Sequence, residues 1–265
     1  MSRHMSRTVV GEDRVRFVKS LERATGSRSL VDVFTDTVHM IACALWAPFA
    51  PDRDAVERDF ASVRSRYDDG QYAAMQESFA ILSDALTTRR EEFLGSVLEG
   101  IGAANTHNGQ FLTPVHIARL MAKVCDPCDG YRPGRIITLH DPACGASVLM
   151  IEQAEELVNN KGVRQSDVYI EVGDVDGRAC DISFIELTLL GYAAKVEHRD
   201  ALSRTEYSGP RYTAGYFIHG FPMRRLMHGL IAPRGGSPTE GCRAESPVVT
   251  EVQPVARVVQ GELGI

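Results

Sequence analysis

One stretch constrains the fold of this chain more than any other: Asp141-Pro142-Ala143-Cys144-Gly145-Ala146-Ser147. It follows the apolar run Ile136-Ile137-Thr138-Leu139, which has the length and branching of a buried strand, and precedes Val148 to Val158, which has the spacing of an amphipathic helix. A strand that passes into a helix through a glycine turn is a unit of α/β folds. Ligands bind at that turn, because the backbone comes close to them and the helix N-terminus offers N–H groups without partners. Gly145 permits the approach, and Asp141, at the strand's carboxyl end, can accept a hydrogen bond from a ligand amine.

The chain repeats this unit downstream. A second strand is predicted over about Val168 to Val172, with Asp174 just past its end, where a carboxylate can accept hydrogen bonds from both hydroxyls of a ribose. Asp176 reads as the N-cap of the next helix, Gly177 to Leu190, which carries Ile182, Ile185, Leu189 and Leu190 inward and stops at Gly191. A third strand, Ala194 to His198, leads into Arg199-Asp200-Ala201-Leu202. Asp200 reads either as a ligand contact or as a strand-end cap. Upstream, Gly109-Gln110-Phe111-Leu112-Thr113-Pro114 opens a helix over Val115 to Val124, with proline expected at the first helical position.

Three of these strings, in this order, resemble the AdoMet-binding motifs of adenine-N6 DNA methyltransferases, especially the modification subunits of type I restriction systems. The loop Asp141 to Ser147 is similar to that family's glycine motif, Gly109 to Pro114 to its Gly-Gln-Phe-x-Thr-Pro segment, and Tyr169 to Asp176 to its second strand. Arg199-Asp200-Ala201-Leu202 is similar to its Gly-Asp-x-Leu, with arginine in place of glycine. The resemblance runs over roughly residues 105 to 203. It implies an α/β fold, a Rossmann-like AdoMet-dependent methyltransferase domain, with S-adenosyl-L-methionine as cofactor and DNA as partner. Phe111, Thr113 and Pro114 would then lie on the methionine side of AdoMet, with Asp141, Pro142, Ala143 and Gly145 forming its loop. Asp174 would hold the ribose and Asp200 the adenine ring.

One family motif has no counterpart. The Asn/Asp/Ser-Pro-Pro-aromatic tetrapeptide of the fourth strand, which grips and stacks on the flipped target adenine, is absent, and no two prolines are adjacent anywhere in the chain. The nearest fragments are Ser208-Gly209-Pro210-Arg211-Tyr212 and Gly220-Phe221-Pro222-Met223. Stacking on the base would fall to Tyr207, Tyr212 or Phe221, and no general base is identified. Only 65 residues follow Asp200, so the methyltransferase sheet is expected to be abbreviated, or completed by a second protein subunit or a second copy of the chain. The alternative to an enzyme is a non-catalytic methyltransferase-like protein that binds AdoMet or DNA and regulates or completes a partner. A nicotinamide-dependent oxidoreductase would need Gly-x-Gly-x-x-Gly, and the loop has one glycine.

Residues 1 to 104 read as a small all-helical domain, residues 105 to 232 as the methyltransferase domain and residues 233 to 265 as a flexible tail. Five helices are expected in the first part. Val15, Val18 and Leu21, with Val10 as an optional member, space the first. Leu30 to Leu45, with Ser29 as N-cap and Pro48 as terminator, forms the strongest. Asp54 to Tyr67, Gln71 to Leu86 and Glu91 to Ile101 follow. His39 and Trp46 read as packing residues of the second helix.

A hydrophobic fraction of 44% suffices for a packed core, and no run of about 18 apolar residues suggests a membrane span, so a cytoplasmic location is expected. Cys43, Cys125, Cys128, Cys144, Cys180 and Cys242 read as reduced thiols. Cys125 and Cys128 lack the second pair that a zinc site of that type uses, so no metal is expected. The net charge of −6 argues against non-specific coating of nucleic acid. Between Arg199 and Arg234, however, six arginines stand among aromatics with two acids. That mixture suits either phosphate contact and base stacking or an ordinary solvated edge.

Overall fold

The computed structural model describes residues 11–102, 113–125 and 127–224. Five helices come first: α1 (Glu12–Ala24), α2 (Leu30–Trp46), α3 (Arg53–Arg64), α4 (Asp69–Thr88) and α5 (Leu94–Gly100). α2 begins at the predicted cap. Ser29 accepts from the Asp32 N–H while Asp32 reaches back to the Ser29 N–H, a reciprocal pair that satisfies two N–H groups of the first turn. Asp68 and Gln71 do the same for α4.

α5 starts later than its hydrophobic spacing suggests. Arg89 leaves α4 in an extended conformation, and the N–H groups of Phe93 and Leu94 donate to one oxygen of Glu186, at 2.8 and 2.5 Å. A carboxylate from a distant helix therefore caps α5 and fixes where it begins.

The second part contains α6 (Val115–Val124), β1 (Ile137–Asp141), α7 (Val148–Asn159), β2 (Val168–Asp174), α8 (Gly177–Leu189), β3 (Ala193–His198), β4 (Arg211–Tyr212) and α9 (Ala214–Ile218). Pro114 is the N-cap of α6 rather than its first residue. The sheet has the order β1-β2-β3-β4. The first three strands are parallel and joined by helices, the crossover connection that parallel neighbours need. Register pairs Asp141 with Val172 and Asp174 with His198, so β2 and β3 end level and β1 ends two residues earlier, all three at the same edge of the sheet.

β4 does not continue the parallel series. After β3 the chain turns back on itself: Arg199 bridges Glu206, and β4 lies antiparallel on the outer edge of β3, with Lys195 facing Tyr212. Among the described residues, β1 has a strand neighbour on one side only.

The helical residues and the sheet share one buried apolar cluster. Trp46 of α2 meets Phe184 of α8 edge to face at 6.2 Å, and Phe17 of α1 meets Phe93 at 5.5 Å. Arg90 pairs with Glu155 of α7 at 2.9 Å. The expected boundary at 104/105 falls among residues that are not described, as do Val10, Phe111 and the stretch from 233 onward.

Among the described helices, the α2 stretch Leu30–Phe49 is long and apolar enough to cross a membrane by composition; half of it is buried inside the protein, where α2 packs on α8. α6 contacts α7 through Ala118 and Ala122 and leaves Ile117, Leu120, Met121 and Val124 exposed.

Candidate functional site

The loop from Asp141 to Ser147 sits where the sequence placed it, between β1 and α7 at the carboxyl ends of the strands. Its conformation is set by two left-handed residues, Gly145 at φ 52° and Ser147 at φ 58°. Glycine adopts this region without penalty. Serine does not, and its strain, on the order of 1–3 kcal/mol, has to be offset by local bonds. Ser147 N–H donates to Cys144 O at 2.8 Å, and Ser147 Oγ donates to Ser183 Oγ at 2.7 Å. Ser183, on α8, in turn donates to Gly145 O at 3.0 Å.

The loop is also tied to β2. Cys144 N–H donates to Gly173 O at 3.0 Å, and Gly145 N–H donates to Asp174 Oδ2 at 2.8 Å. The other oxygen of Asp174 accepts from Asp176 N–H at 2.9 Å, while Asp176 caps α8 as expected through Arg178 N–H. Asp174 thus joins the glycine loop to the start of α8 and remains half-buried, with its carboxylate at the rim. Asp141 accepts from Ala143 N–H at 3.0 Å through one oxygen. Pro142 and Ala143 are exposed, and Gly145 is partly so. The rim therefore presents backbone and carboxylates to solvent.

Cys144 is packed. Its thiol faces Ser183, and burial pushes its pKa up to about 12, so it stays protonated and non-nucleophilic near neutral pH. Below it, α5 comes against the loop: a Cβ added at Gly95 would overlap Ala146 Cβ and lie 2.7 Å from Glu92 Oε1. Neither Gly95 nor Ser183 was singled out by the sequence, because nothing local marks a glycine or serine as a buttress of a loop far along the chain.

Asp200 closes a turn just past β3. It accepts from Ser203 Oγ at 2.8 Å and from the N–H groups of Leu202 and Ser203, bonds that hold its carboxyl below the usual range. Thr113 is half-buried and Pro114 exposed at the head of α6; Phe111 lies outside the described residues.

The three aromatic candidates separate. Tyr207 is 51% exposed, and its N–H donates to His198 O at 2.9 Å. Its ring lies 4.9 Å from that of His198 at the carboxyl end of β3. Phe221 is fully buried in a three-ring cluster near the opposite end of the strands, 5.1 Å from Tyr169 and 5.9 Å from Tyr216, so it is closed to a base. Tyr212 joins the same group, 4.5 Å from Tyr216.

The arginines of this region are similarly divided. Arg211 pairs with Asp181 at 2.6 Å and lies over Phe184. Arg224 pairs with buried Asp167 at 2.7 Å, and Arg199 pairs with Glu197 at 3.4 Å. Among the described arginines from 199 onward, Arg204 alone has no ion pair and stands exposed, at φ 61°. Three of the four described arginines of this stretch are therefore engaged within the fold.

Two clefts lie elsewhere. One of about 190 Å³ runs between α6 and α7, lined by Arg119, Lys123, Glu152 and Glu156. The other, about 30 Å³, lies among the N-terminal helices beside Met40, Phe60 and Tyr72. The glycine loop belongs to neither.

Comparison with known proteins found no match among curated sequences. Among solved structures, a candidate class I S-adenosylmethionine-dependent methyltransferase of Listeria monocytogenes aligns with 14% identity over 80% of this chain and 70% of its own, at a TM-score of 0.43. The model of the N-6 DNA methylase family matches residues 90–211, from just before α5 to β4, and so takes in the glycine loop, Asp174, Asp200 and Gly95. The motifs around Asp141 and Asp174 thus lie within the segment, residues 90–211, that is similar to the N-6 DNA methylase family.

Proposed function

We propose that the protein is an AdoMet-dependent DNA methyltransferase acting on adenine N6. The observation that carries this reading is the glycine loop at the carboxyl ends of β1, β2 and β3, with Gly145 N–H bonded to the carboxylate of Asp174. The donor chemistry fits the cofactor. A carboxylate has about four acceptor positions, and the two oxygens of Asp174 each use one on the backbone, so both can still accept from ribose hydroxyls. Asp141 spends one oxygen on its own turn and can take the amine of the methionine part with the other. Thr113, Pro114 and Phe111 would close the methionine side, Pro142, Ala143 and Gly145 would line the loop, and Asp200 would border the adenine ring.

AdoMet, when bound, supplies an activated methyl on its sulfonium. The chain's own residues would place the target amine in line with it, a task of orientation rather than proton transfer. A base in duplex DNA must first be flipped out, and Tyr207, exposed at the rim beside His198, is the aromatic positioned to stack on it.

A second reading draws support from the missing Pro-Pro motif: a methyltransferase-like protein that binds AdoMet or DNA and completes or regulates a partner subunit or second copy. Calorimetric titration with AdoMet, followed by transfer of labelled methyl to unmethylated DNA, separates the two. Binding with transfer to adenine N6 is expected. Binding without transfer would favour the second reading, and no binding would refute both cofactor assignments.

A further inference from the structure

Away from the glycine loop, three helices bring a second set of polar side chains together. His39 and Cys43 lie one turn apart on α2, so both project from the same side of the helix. Asp59 reaches them from α3. The three donor atoms lie close to one another: His39 Nε2 to Asp59 Oδ2 at 2.9 Å, Cys43 Sγ to His39 Nε2 at 3.6 Å, and Cys43 Sγ to Asp59 Oδ2 at 4.0 Å. On its other side, His39 Nδ1 donates to Asp181 Oδ2 at 3.0 Å, and the remaining oxygen of Asp181 is held by Arg211 at 2.6 Å.

This arrangement has the form of a metal site. Zinc bonds of about 2.0–2.3 Å at tetrahedral angles place ligand atoms roughly 3.3–3.7 Å apart, and the three observed separations bracket that range. A thiol, an imidazole and one carboxylate form a donor set suited to zinc or cobalt and poorly suited to magnesium or calcium. The Asp181 carboxylate on Nδ1 orients the ring so that Nε2, once it gives up the proton it shares with Asp59, faces the metal, the usual arrangement behind a ligating histidine. Asp59 is 57% exposed, and the His39 side chain is 32% exposed, so an ion can enter from solvent and keep a water as fourth ligand.

We infer that His39 Nε2, Cys43 Sγ and an Asp59 carboxylate oxygen bind one divalent transition-metal ion, zinc by donor chemistry, with Asp181 as the residue that positions His39. Cys43 enters as thiolate and His39 as neutral imidazole, so binding releases their protons to solvent. The ion joins α2 to α3, and Asp181 carries the link into α8 beside the loop-holding Ser183. The site does not depend on the methyltransferase reading.

Cobalt(II) titration of the reduced, metal-free full chain tests this. One equivalent is expected to produce the near-ultraviolet absorption of a cobalt thiolate, and zinc is expected to displace it. Cys43→Ser abolishes that absorption. Asp59→Asn, a change at an exposed carboxylate that keeps the circular dichroism of the wild type, weakens binding by about tenfold or more, and Asp181→Asn weakens it by about tenfold. The Cys125→Ser/Cys128→Ser double variant keeps the absorption. The inference is overturned by absence of a cobalt thiolate band, by its survival in Cys43→Ser, by unchanged affinity in Asp59→Asn, or by its loss in the double variant.

Discussion

Replacing Gly95 with alanine tests whether the N-terminal helices buttress the glycine loop. The added Cβ would overlap Ala146 Cβ and lie 2.7 Å from Glu92 Oε1. Ala146 and Glu92 are both buried, and Ala146 is held between the bonded residues Gly145 and Ser147, so neither neighbour moves freely. Overpacking by one methyl group costs about 1–3 kcal/mol. Alanine recovers roughly 0.5–1 kcal/mol over glycine within a helix, and Gly95 sits in the first turn of a short one, where the gain is at its smallest. The balance is a net loss of about 0.5–2 kcal/mol, read as a lower urea midpoint with an unchanged slope. Because the strain falls on Ala146, the affinity for AdoMet should drop in the same variant. Gly209→Ala, where an added Cβ meets nothing within 4 Å, serves as control and should stay within about 0.5 kcal/mol of wild type. A Gly95→Ala protein as stable as the wild type, with unchanged AdoMet binding, would refute the argument.

Three further outcomes follow from the geometry. Asp174→Ala removes the acceptor of two N–H groups, so it should cost about 1–3 kcal/mol in urea unfolding while keeping the overall fold, and should weaken AdoMet binding by more than about tenfold in calorimetry. Burial raises the Glu92 pKa to about 7, and that of neighbouring Glu186 also lies well above the ordinary range. A carboxyl raised on folding contributes stability that is full below its unfolded pKa and is lost as pH rises through the folded value. The stability of the wild type relative to Glu92→Gln should therefore fall between about pH 4.5 and 7, and a flat difference across that window would contradict it. Iodoacetamide near neutral pH should label exposed Cys125 and spare Cys144, whose thiol is buried and protonated; mass spectrometry of the native protein reads the order.

The legible parts of this protein are those decided by neighbours in the chain. The run Ile136 to Leu139, the single glycine at position 145 and the amphipathic stretch after Ser147 specify strand, turn and helix within a few residues of one another, and β1, the loop and α7 form there. Ser29 as cap of α2 and Asp176 as cap of α8 are local for the same reason: a short side chain reaches an N–H two or three residues away.

Other features required the folded chain. α5 begins at Leu94 because Glu186, from α8, caps it, and no spacing within residues 91–101 encodes that. The chain after β3 folds back as a hairpin onto the outer edge of the sheet, a choice between two sheet edges that strand propensity does not make. Phe221 and Tyr212 have the composition of base-stacking residues but are packed with Tyr169 and Tyr216, while Arg211 and Arg224 are held by Asp181 and Asp167. His39 reads as one more residue on the buried stripe of α2 until α3 and α8 bring Asp59 and Asp181 to its two nitrogens. Periodicity and capping are written within a few residues of sequence, whereas the partners of a buried charge, ring or glycine are chosen by which surfaces pack, and that is settled only when the whole core closes.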